Sequence, residues 1–282
     1  MGVMLLFIAA AIALCGPPLR ASEWDALAIS EGIQRLHLPF GGILDPIFAA
    51  ADSNQIVGYT RCGDSAIWTG HYLAAESFRY KVTRSPEALA NVLNAERALR
   101  ALVDVTGTDL LARCIVPVDS PFAPGITQEE QYHGIYVGNL NRQRYFWIGN
   151  TSRDQYSGVM FGLSVAYDMV DDPLVRAEVA ALTTRLVDFL RHNNWTIVMP
   201  DGGISSLFFG RADQQLTFLQ IARHMNSGRF STAYTTTAIF GAFETLAPVS
   251  LEVLDPHSSY YKFNLDTINL YSLIRLEGSS GR

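Results

Sequence analysis

The stretch WIGNTSRDQY, residues 147–156, and the run YSGVMFGLSVAYDMV that continues it to residue 170 decide the fold that this sequence predicts. The run is apolar on nearly every side at helical spacing, and a helix of this kind must be buried all round. Ser152 and Gln155 have the spacing of a capping box, in which two side chains bond to the first turn of a helix. We therefore expect a buried helix that begins after Ser152 and has Asp154 in its first turn.

Outward from this helix, buried and half-exposed helices alternate along the sequence. Residues 65–82 are apolar or small on most faces, whereas residues 86–105 and 174–192 each carry one apolar stripe. The predicted helices cover residues 22–38, 65–82, 86–105, 154–170, 174–192, 216–225, 231–246 and 264–276. In a double ring of helices the inner ones are covered on both sides and the outer ones on one side. The alternation therefore predicts an all-α fold, an incomplete (α/α)n toroid of helical hairpins.

A long insertion with little helical pattern, residues 107–150, interrupts the alternation. Residues 131–137 and 142–148 within it are predicted to pair as a short β-hairpin. Loops of this length inside a compact domain are usually functional.

Composition and charge describe a globular chain with a substantial core. The 282 residues are 49% hydrophobic and 17% charged, and the net charge of −6 carries no basic stripe. We therefore expect no nucleic-acid partner.

The apolar segment 4–14 has the length of a signal-peptide core and is too short to span a membrane. We predict a signal peptide over residues 1–21, a helical domain over 22–282, and export to the periplasm or the outside of the cell. Lipid anchoring at Cys15 is the less favoured alternative, because Leu14 is bulky where a small residue is expected.

Two cysteines, Cys62 and Cys114, remain after removal of the signal peptide. They flank the predicted helix pair 65–82 and 86–105 at the same end, so a disulfide between them is one interpretation. Two unpaired buried thiols are the other interpretation, and the sequence leaves both open. No histidine stands at ligand spacing from either cysteine, and we expect neither a metal ion nor a cofactor.

Three of the buried helices begin with an aspartate that an arginine precedes. The pairs are Arg61 and Asp64, Arg153 and Asp154, and Arg211 and Asp213. Inner helices of such a ring begin at one mouth, where helix amino termini and arginines attract carboxylates. The pairs are therefore predicted to converge there. The competing interpretation is that each aspartate is an ordinary helix cap with a neighbouring ion pair.

The two leading aspartates differ in what their positions allow. Asp64, as an N-cap, would accept backbone N–H bonds that stabilise its charged form, which suits a base. Asp154 lies beside a largely apolar helix and is freer to lose solvent, so we predict that it is the general acid.

Aromatic and polar residues that suit a sugar ring surround these positions. They are Trp68, His71, Tyr72, Tyr132, His133, Trp147, Asn150 and Tyr156. For residues on the buried helices, core packing is the competing interpretation. His133 lies on the insertion, where a residue has less structural reason to be present.

The order of the hairpins, together with DSAIWTG (64–70) and SRDQY (152–156), resembles the (α/α)6 toroids of the six-hairpin glycosidase group. The resemblance covers residues 59–277 at the level of architecture, and no motif is diagnostic of one family. The group includes exported glycoside hydrolases and polysaccharide lyases. The resemblance implies a carbohydrate cleft at the mouth, with carboxylates at the positions of Asp64 and Asp154. Eight predicted helices are too few to close such a ring, so we expect a truncated C-terminus or a partner that completes it.

The expected function is that of an exported glycoside hydrolase-like enzyme that acts on an oligosaccharide. If the arginines at the helix starts bind this substrate, it is an acidic oligosaccharide. One alternative is a non-catalytic exported domain that binds glycan or protein. A second is a polysaccharide lyase with His133 or Tyr132 as base. A terpenoid-cyclase-like toroid has less support, because Asp171 and Asp172 lie at a turn.

Overall fold

The computed structural model describes residues 22–241 and 260–277 of the chain, which are mostly helical with a few short strands. The predicted signal peptide, Cys15, residues 242–246 of a predicted helix and the last five residues lie outside this part. The helices are α1 (Glu23–Gly32), α2 (Ser65–Thr83), α3 (Pro86–Asp104), α4 (Ala123–Glu129), α5 (Arg153–Met169), α6 (Pro173–His192), α7 (Ala212–Met225), α8 (Ser227–Gly241) and α9 (Tyr260–Glu277).

The chain divides after His37 into two compact units. In the first unit, α1 begins after Ser22, whose side chain accepts a hydrogen bond from the Asp25 backbone N–H at 3.1 Å. A π-helical turn, Ile33–His37, continues the helix. The helix predicted over 22–38 is thus present, with its last turn wound more loosely.

The described residues of the larger unit contain three helical hairpins, as the alternation predicts, together with α4 and α9. Very short connections join α2 to α3, α5 to α6, and α7 to α8, so the two helices of each hairpin run antiparallel. Helix α5 is buried on most sides. By contrast, α2 exposes Trp68, Phe78 and Val82, so it is covered less completely than its sequence suggests.

Helices α2 and α5 touch along their backbones. A Cβ atom added at Gly70 or at Gly162 would overlap the backbone of the opposite helix, and one added at Gly158 would lie 2.8 Å from the Ile67 Cα atom. Side chains normally keep helix axes 8–10 Å apart, and glycines at the crossing let them approach more closely. This close contact determines where the first turns of the two helices lie relative to each other.

Helices α2, α5, α7 and α9 run parallel and begin at one end of the unit, which we call the amino end. The Gln155 side chain, in the first turn of α5, bonds to the Ile67 N–H in the first turn of α2. Asp266, early in α9, pairs with Arg211 just before α7. Further along, the Asn269 amide donates to the Ser157 hydroxyl at 3.1 Å.

Helix α9 corrects one prediction. The apolar residues within 264–276 predict a buried helix, but Ile274 is 71% exposed. The residues that α9 buries are mainly polar, namely Leu265, Asp266, Asn269 and Ser272. Polar partners on α5 and α7 explain this arrangement, because a buried amide or carboxylate requires a bonded neighbour.

Short antiparallel strands form three small sheets. The strands are β1 (Asp45–Phe48), β2 (Ile56–Thr60), β3 (Cys114–Pro117), β4 (Ile135–Leu140), β5 (Gln143–Ile148), β6 (Thr196–Val198) and β7 (Ile204–Leu207). The sheets have the strand orders β1-β2, β3-β5-β4 and β6-β7. The predicted hairpin is present as β4 and β5, although residues 131–133 form a 3-10 turn instead of a strand. The β1-β2 and β6-β7 ribbons and strand β3 were not predicted.

Crossing a bilayer needs a helix with a long apolar stretch, and none of the helices within 22–241 and 260–277 has one.

Candidate functional site

A disulfide joins the segment before α2 to the start of β3. Cys62 and Cys114 have Cα atoms 5.6 Å apart and are 52 residues apart in sequence, so the structure contains the disulfide, one of the two interpretations. Both residues are buried in a small core with Leu44, Tyr59 and Ile126. The disulfide ties together two loops at the amino end of the helices.

Arg113 and Asp64 meet beside this disulfide. The Arg113 Nη1 atom donates to the Gly63 carbonyl at 2.8 Å and lies 3.9 Å from the Asp64 Oδ1 atom. The Arg113 Nε atom donates to the Asn150 carbonyl at 2.9 Å. One guanidinium thus joins the start of α2 to the loop before α5.

Asp64 does not cap α2 with its side chain, and that prediction is wrong. Its backbone follows a 3-10 turn, with φ −108° and ψ 6°, whereas a side-chain cap usually has an extended backbone. The Asp64 side chain is instead 44% exposed, and its Oδ1 atom accepts a bond from the Gln155 amide at 3.3 Å.

The predicted capping box of α5 is also absent. Ser152 precedes the helix but makes no side-chain cap bond. The Gln155 side chain points instead to α2, where its Oε1 atom accepts from the Ile67 N–H at 3.0 Å while its amide donates to Asp64. Gln155 thus connects α5 to α2 instead of capping its own helix.

Asp154 lies in the first turn of α5, as predicted, and is half-buried. Burial raises the pKa of the Asp154 carboxyl, and the negative charge of Asp64 raises it further. The positive charges of Arg153, Arg113 and Arg211 offset part of this rise. Within the described residues, no hydrogen bond or ion pair engages this carboxyl. A carboxyl of this kind holds its proton to higher pH than usual and can donate it.

The arginines at the three helix starts have different surroundings. Arg211 is nearly buried between Asp213 and Asp266, with its Nη2 atom 2.9 Å from an oxygen of each. Asp213 is itself buried and paired with Arg211, so these two residues form a structural ion pair, the competing interpretation. Arg61 is exposed and lies 3.6 Å from Asp45, so it does not join Asp154 as the convergence predicted.

Three of the predicted sugar-binding residues are buried, namely Tyr72, Trp147 and Tyr156. The Trp147 ring stacks on Tyr136 with centroids 4.4 Å apart, and the Tyr156 ring packs edge-on against Phe208. The Tyr156 hydroxyl also accepts a bond from the Leu111 N–H. These side chains do not face solvent, so for them core packing, the competing interpretation, describes the structure. Asn150 and Tyr132, in contrast, are exposed.

A row of rings crosses three of the parallel helices. The Trp68 and His71 centroids are 5.7 Å apart, those of His71 and Phe161 5.4 Å, and those of Phe161 and Tyr271 6.1 Å. Trp68 and Tyr271 are each more than 40% exposed. Burial lowers the pKa of His71, which a bond to the Ile67 carbonyl partly offsets, so its neutral form is favoured.

His133 lies beside the start of α2, paired with Glu130. The His133 Nδ1 atom is 2.5 Å from the Glu130 Oε2 atom, and the Glu130 Oε1 atom accepts from the Gly63 N–H at 2.7 Å. A Cβ atom at Gly63 would lie 2.7 Å from Glu130 Oε2 and 3.2 Å from His133 Cε1. Only glycine lets the two side chains approach the backbone next to Asp64.

Two cavities lie elsewhere. One, of about 670 Å³, is lined by α6, the 108–110 loop and the β6–β7 turn, and the other, of about 790 Å³, lies between β2 and α4. Asp64, Asp154 and His133 line neither of them. Within the described residues, no three His, Cys, Asp or Glu side chains are placed to hold a metal ion.

Arg113 and Glu130 were not among the predicted site residues. Arg113 adjoins Cys114, and only the position beside a cysteine could have drawn attention to it. Nothing in the sequence around Glu130 distinguishes it from Glu129. Comparisons with models of protein families, with curated proteins and with solved structures gave no match to this chain.

Proposed function

We propose that this chain is an exported carbohydrate-active enzyme of the glycoside hydrolase type, built as an incomplete (α/α) toroid that is similar to the six-hairpin glycosidase group. The parallel helices α2, α5, α7 and α9 and the three hairpins support the toroid. The predicted signal peptide and the buried disulfide support export, because disulfides persist in oxidising compartments.

One observation carries the proposal. Asp154 has a pKa raised by burial, and Asp64 is close enough to contribute to that rise. Asp64 is about half-exposed, accepts a bond from Gln155 and lies near Arg113. Two carboxyl groups whose environments differ in this way are the arrangement that separates a general acid from a general base.

Each residue then has a role. Asp154 protonates the leaving glycosidic oxygen, and Asp64 activates the attacking water. Arg113 and Arg153 contribute positive charge beside them, which favours a substrate with a carboxylate group. Trp68 and His71 offer half-exposed rings against which a sugar can pack.

The test is a panel of neutral and uronic-acid oligosaccharides, with release of reducing ends as the readout. For the glycan that the wild type cleaves, Asp154→Asn should lower kcat by about 10²–10⁴-fold, the usual contribution of a general acid. Asp64→Asn should have a loss of the same order. Activity should also fall as pH rises through the raised pKa of Asp154, because the acid must carry a proton.

The matched control is Asp119→Asn, since Asp119 is exposed and makes no hydrogen bond or ion pair within the described residues. A wild type that cleaves no glycan, or an Asp154→Asn variant as active as Asp119→Asn, contradicts the proposal. An unsaturated product that absorbs ultraviolet light would instead identify a lyase.

A non-catalytic glycan-binding domain is the second candidate, and one observation favours it. Arg211 and Asp213, at the start of α7, are engaged in ion pairs within the protein. Aspartates at helix starts can thus be structural in this fold. Binding of a glycan without cleavage, unaffected by Asp154→Asn, would support this candidate.

A further inference from the structure

Glu130 is a buried carboxylate whose two oxygens have separate partners. Its side chain is 6% exposed, with one oxygen bonded to the Gly63 N–H and the other 2.5 Å from His133 Nδ1. Buried carboxylates are rare unless they are bonded in this way. Glu130 therefore orients the His133 ring relative to the start of α2.

The contact also determines which ring nitrogen of His133 carries the proton. An ionised carboxylate has only acceptors, so the Nδ1 atom facing Glu130 must be the donor. In the neutral ring the Nε2 atom is then an acceptor.

The Nε2 atom of His133 has no hydrogen-bond partner within residues 22–241 and 260–277, and the side chain is 35% exposed. The Cε1 atom next to it lies against Gly63, one residue before Asp64. The unused acceptor is thus at the amino end, close to one of the two proposed catalytic carboxylates.

We propose that Glu130 and His133 form a hydroxyl-binding unit, in which His133 Nε2 accepts a hydrogen bond from a sugar hydroxyl of the substrate. Glu130 is the positioning residue, because it holds the ring in the form that presents an acceptor. This inference rests on the proposed function, and it assigns a contact that neither aspartate supplies.

The first experiment needs no substrate. The ¹⁵N spectrum of the imidazole rings, recorded on the full chain at pH 8, should show the Nδ1–H form of His133. Glu130→Gln should lose that form, because the ring no longer faces a charged acceptor. Glu129→Gln is the matched control, since Glu129 also accepts a backbone N–H, that of Arg61, but does not contact His133.

An Nε2–H form in the wild type, or an unchanged spectrum in Glu130→Gln, overturns the unit. Loss of the form in both variants does so as well, because the effect would not be specific to Glu130.

The second experiment uses the glycan that the wild type cleaves or binds. His133→Asn should raise KM or Kd about 5–10-fold, the effect of one neutral hydrogen bond, and change kcat less. The shorter asparagine amide can still donate to Glu130 but does not reach the position of the Nε2 atom. His192→Asn is the control, because the Nδ1 atom of this α6 histidine also bonds within the protein, to the Asp188 carbonyl.

An unchanged KM in His133→Asn, with normal cleavage by the wild type, overturns the hydroxyl contact while the proposed function stands. A wild type that binds none of the glycans overturns both.

Discussion

The contact between α2 and α5 and the contact between α7 and α9 both join parallel helices, but they are built from opposite kinds of residue. In the first, Gly70 and Gly162 bring two backbones together. In the second, Arg211 lies between Asp213 and Asp266, and all three side chains are at least 89% buried.

The difference shows how the two halves of the amino end are positioned. The glycine contact depends on shape, because packed interiors leave no room for an added methyl group. The arginine contact depends on charge, and a buried ion pair adds little stability but is costly to break. The first contact places Asp64 beside Asp154, and the second holds Arg211 near them.

The largest effect is expected from a substitution that removes the charged contact. Arg211→Met should lower the free energy of unfolding by about 3–5 kcal/mol, because it leaves two buried aspartates without their shared partner. Denaturant unfolding measures the change. Arg84→Met is the control, since the Arg84–Asp171 pair is about half-exposed and solvent screens it, so its loss should change the free energy of unfolding far less. Similar losses in the two variants would contradict the distinction between buried and exposed pairs.

A single methyl group added at the glycine contact should lower the stability of the protein. Gly162→Ala should cost about 1–3 kcal/mol, because its Cβ atom would overlap the Gly70 backbone and push the helices apart. Gly228→Ala, in α8, meets no atom within 4 Å and should stabilise the helix by up to about 1 kcal/mol. The thermal unfolding midpoint should fall in Gly162→Ala and rise in Gly228→Ala, both relative to the wild type. Equal changes in the two variants would rule out a tight contact.

Asn269 on α9 is bonded to Ser157 on α5, and substitution of these two residues tests how strongly this bond couples the two helices. Asn269→Leu should cost about 1–2 kcal/mol, because it leaves the buried Ser157 hydroxyl without its donor. Adding Ser157→Ala should recover part of the loss, since both polar partners are then gone. Additive losses in the double variant would show that the bond does not couple the residues.

The smallest effect has the opposite sign. Because the folded state raises the pKa of Asp154 above its ordinary value of 3.8, ionisation of this carboxyl disfavours folding. Asp154→Asn should therefore raise the free energy of unfolding at neutral pH, by less than the changes expected for the substitutions above. The gain should vanish below about pH 4, where the wild-type carboxyl is protonated in both states. A gain that persists at low pH would point to a cause other than charge.

Hydrophobic spacing predicted most of the helices of the larger unit, because burial on one side or on all sides leaves a periodic trace in the sequence. The place of Asp154 in the first turn of α5 was inferred from the spacing of Ser152 and Gln155, and it is correct although the capping box itself is absent. Spacing could not reveal the interface glycines as contacts, since their effect depends on the backbone that they face. Spacing also did not predict that the buried side of α9 is polar. Asp266 and Asn269 on that side bond to residues more than 50 positions away.

The site was predicted less well, because its bonds join distant segments. Asp64 was expected to bond locally and instead bonds to Gln155, 91 residues later. Arg113 and Glu130 lie in the long insertion, where no periodic pattern indicates which side chains turn inward. Their positions depend on the disulfide and on Gly63, which only the folded chain brings together.

The disulfide has a consequence for how the protein matures. Cys62 stands two residues before Asp64, and Cys114 directly follows Arg113, so a newly made chain with free thiols lacks the tie between these two side chains. Formation of the bond closes a loop across 52 residues of sequence and holds Asp64 and Arg113 close to each other. Oxidation of the two thiols would thus stabilise the fold and the candidate site together.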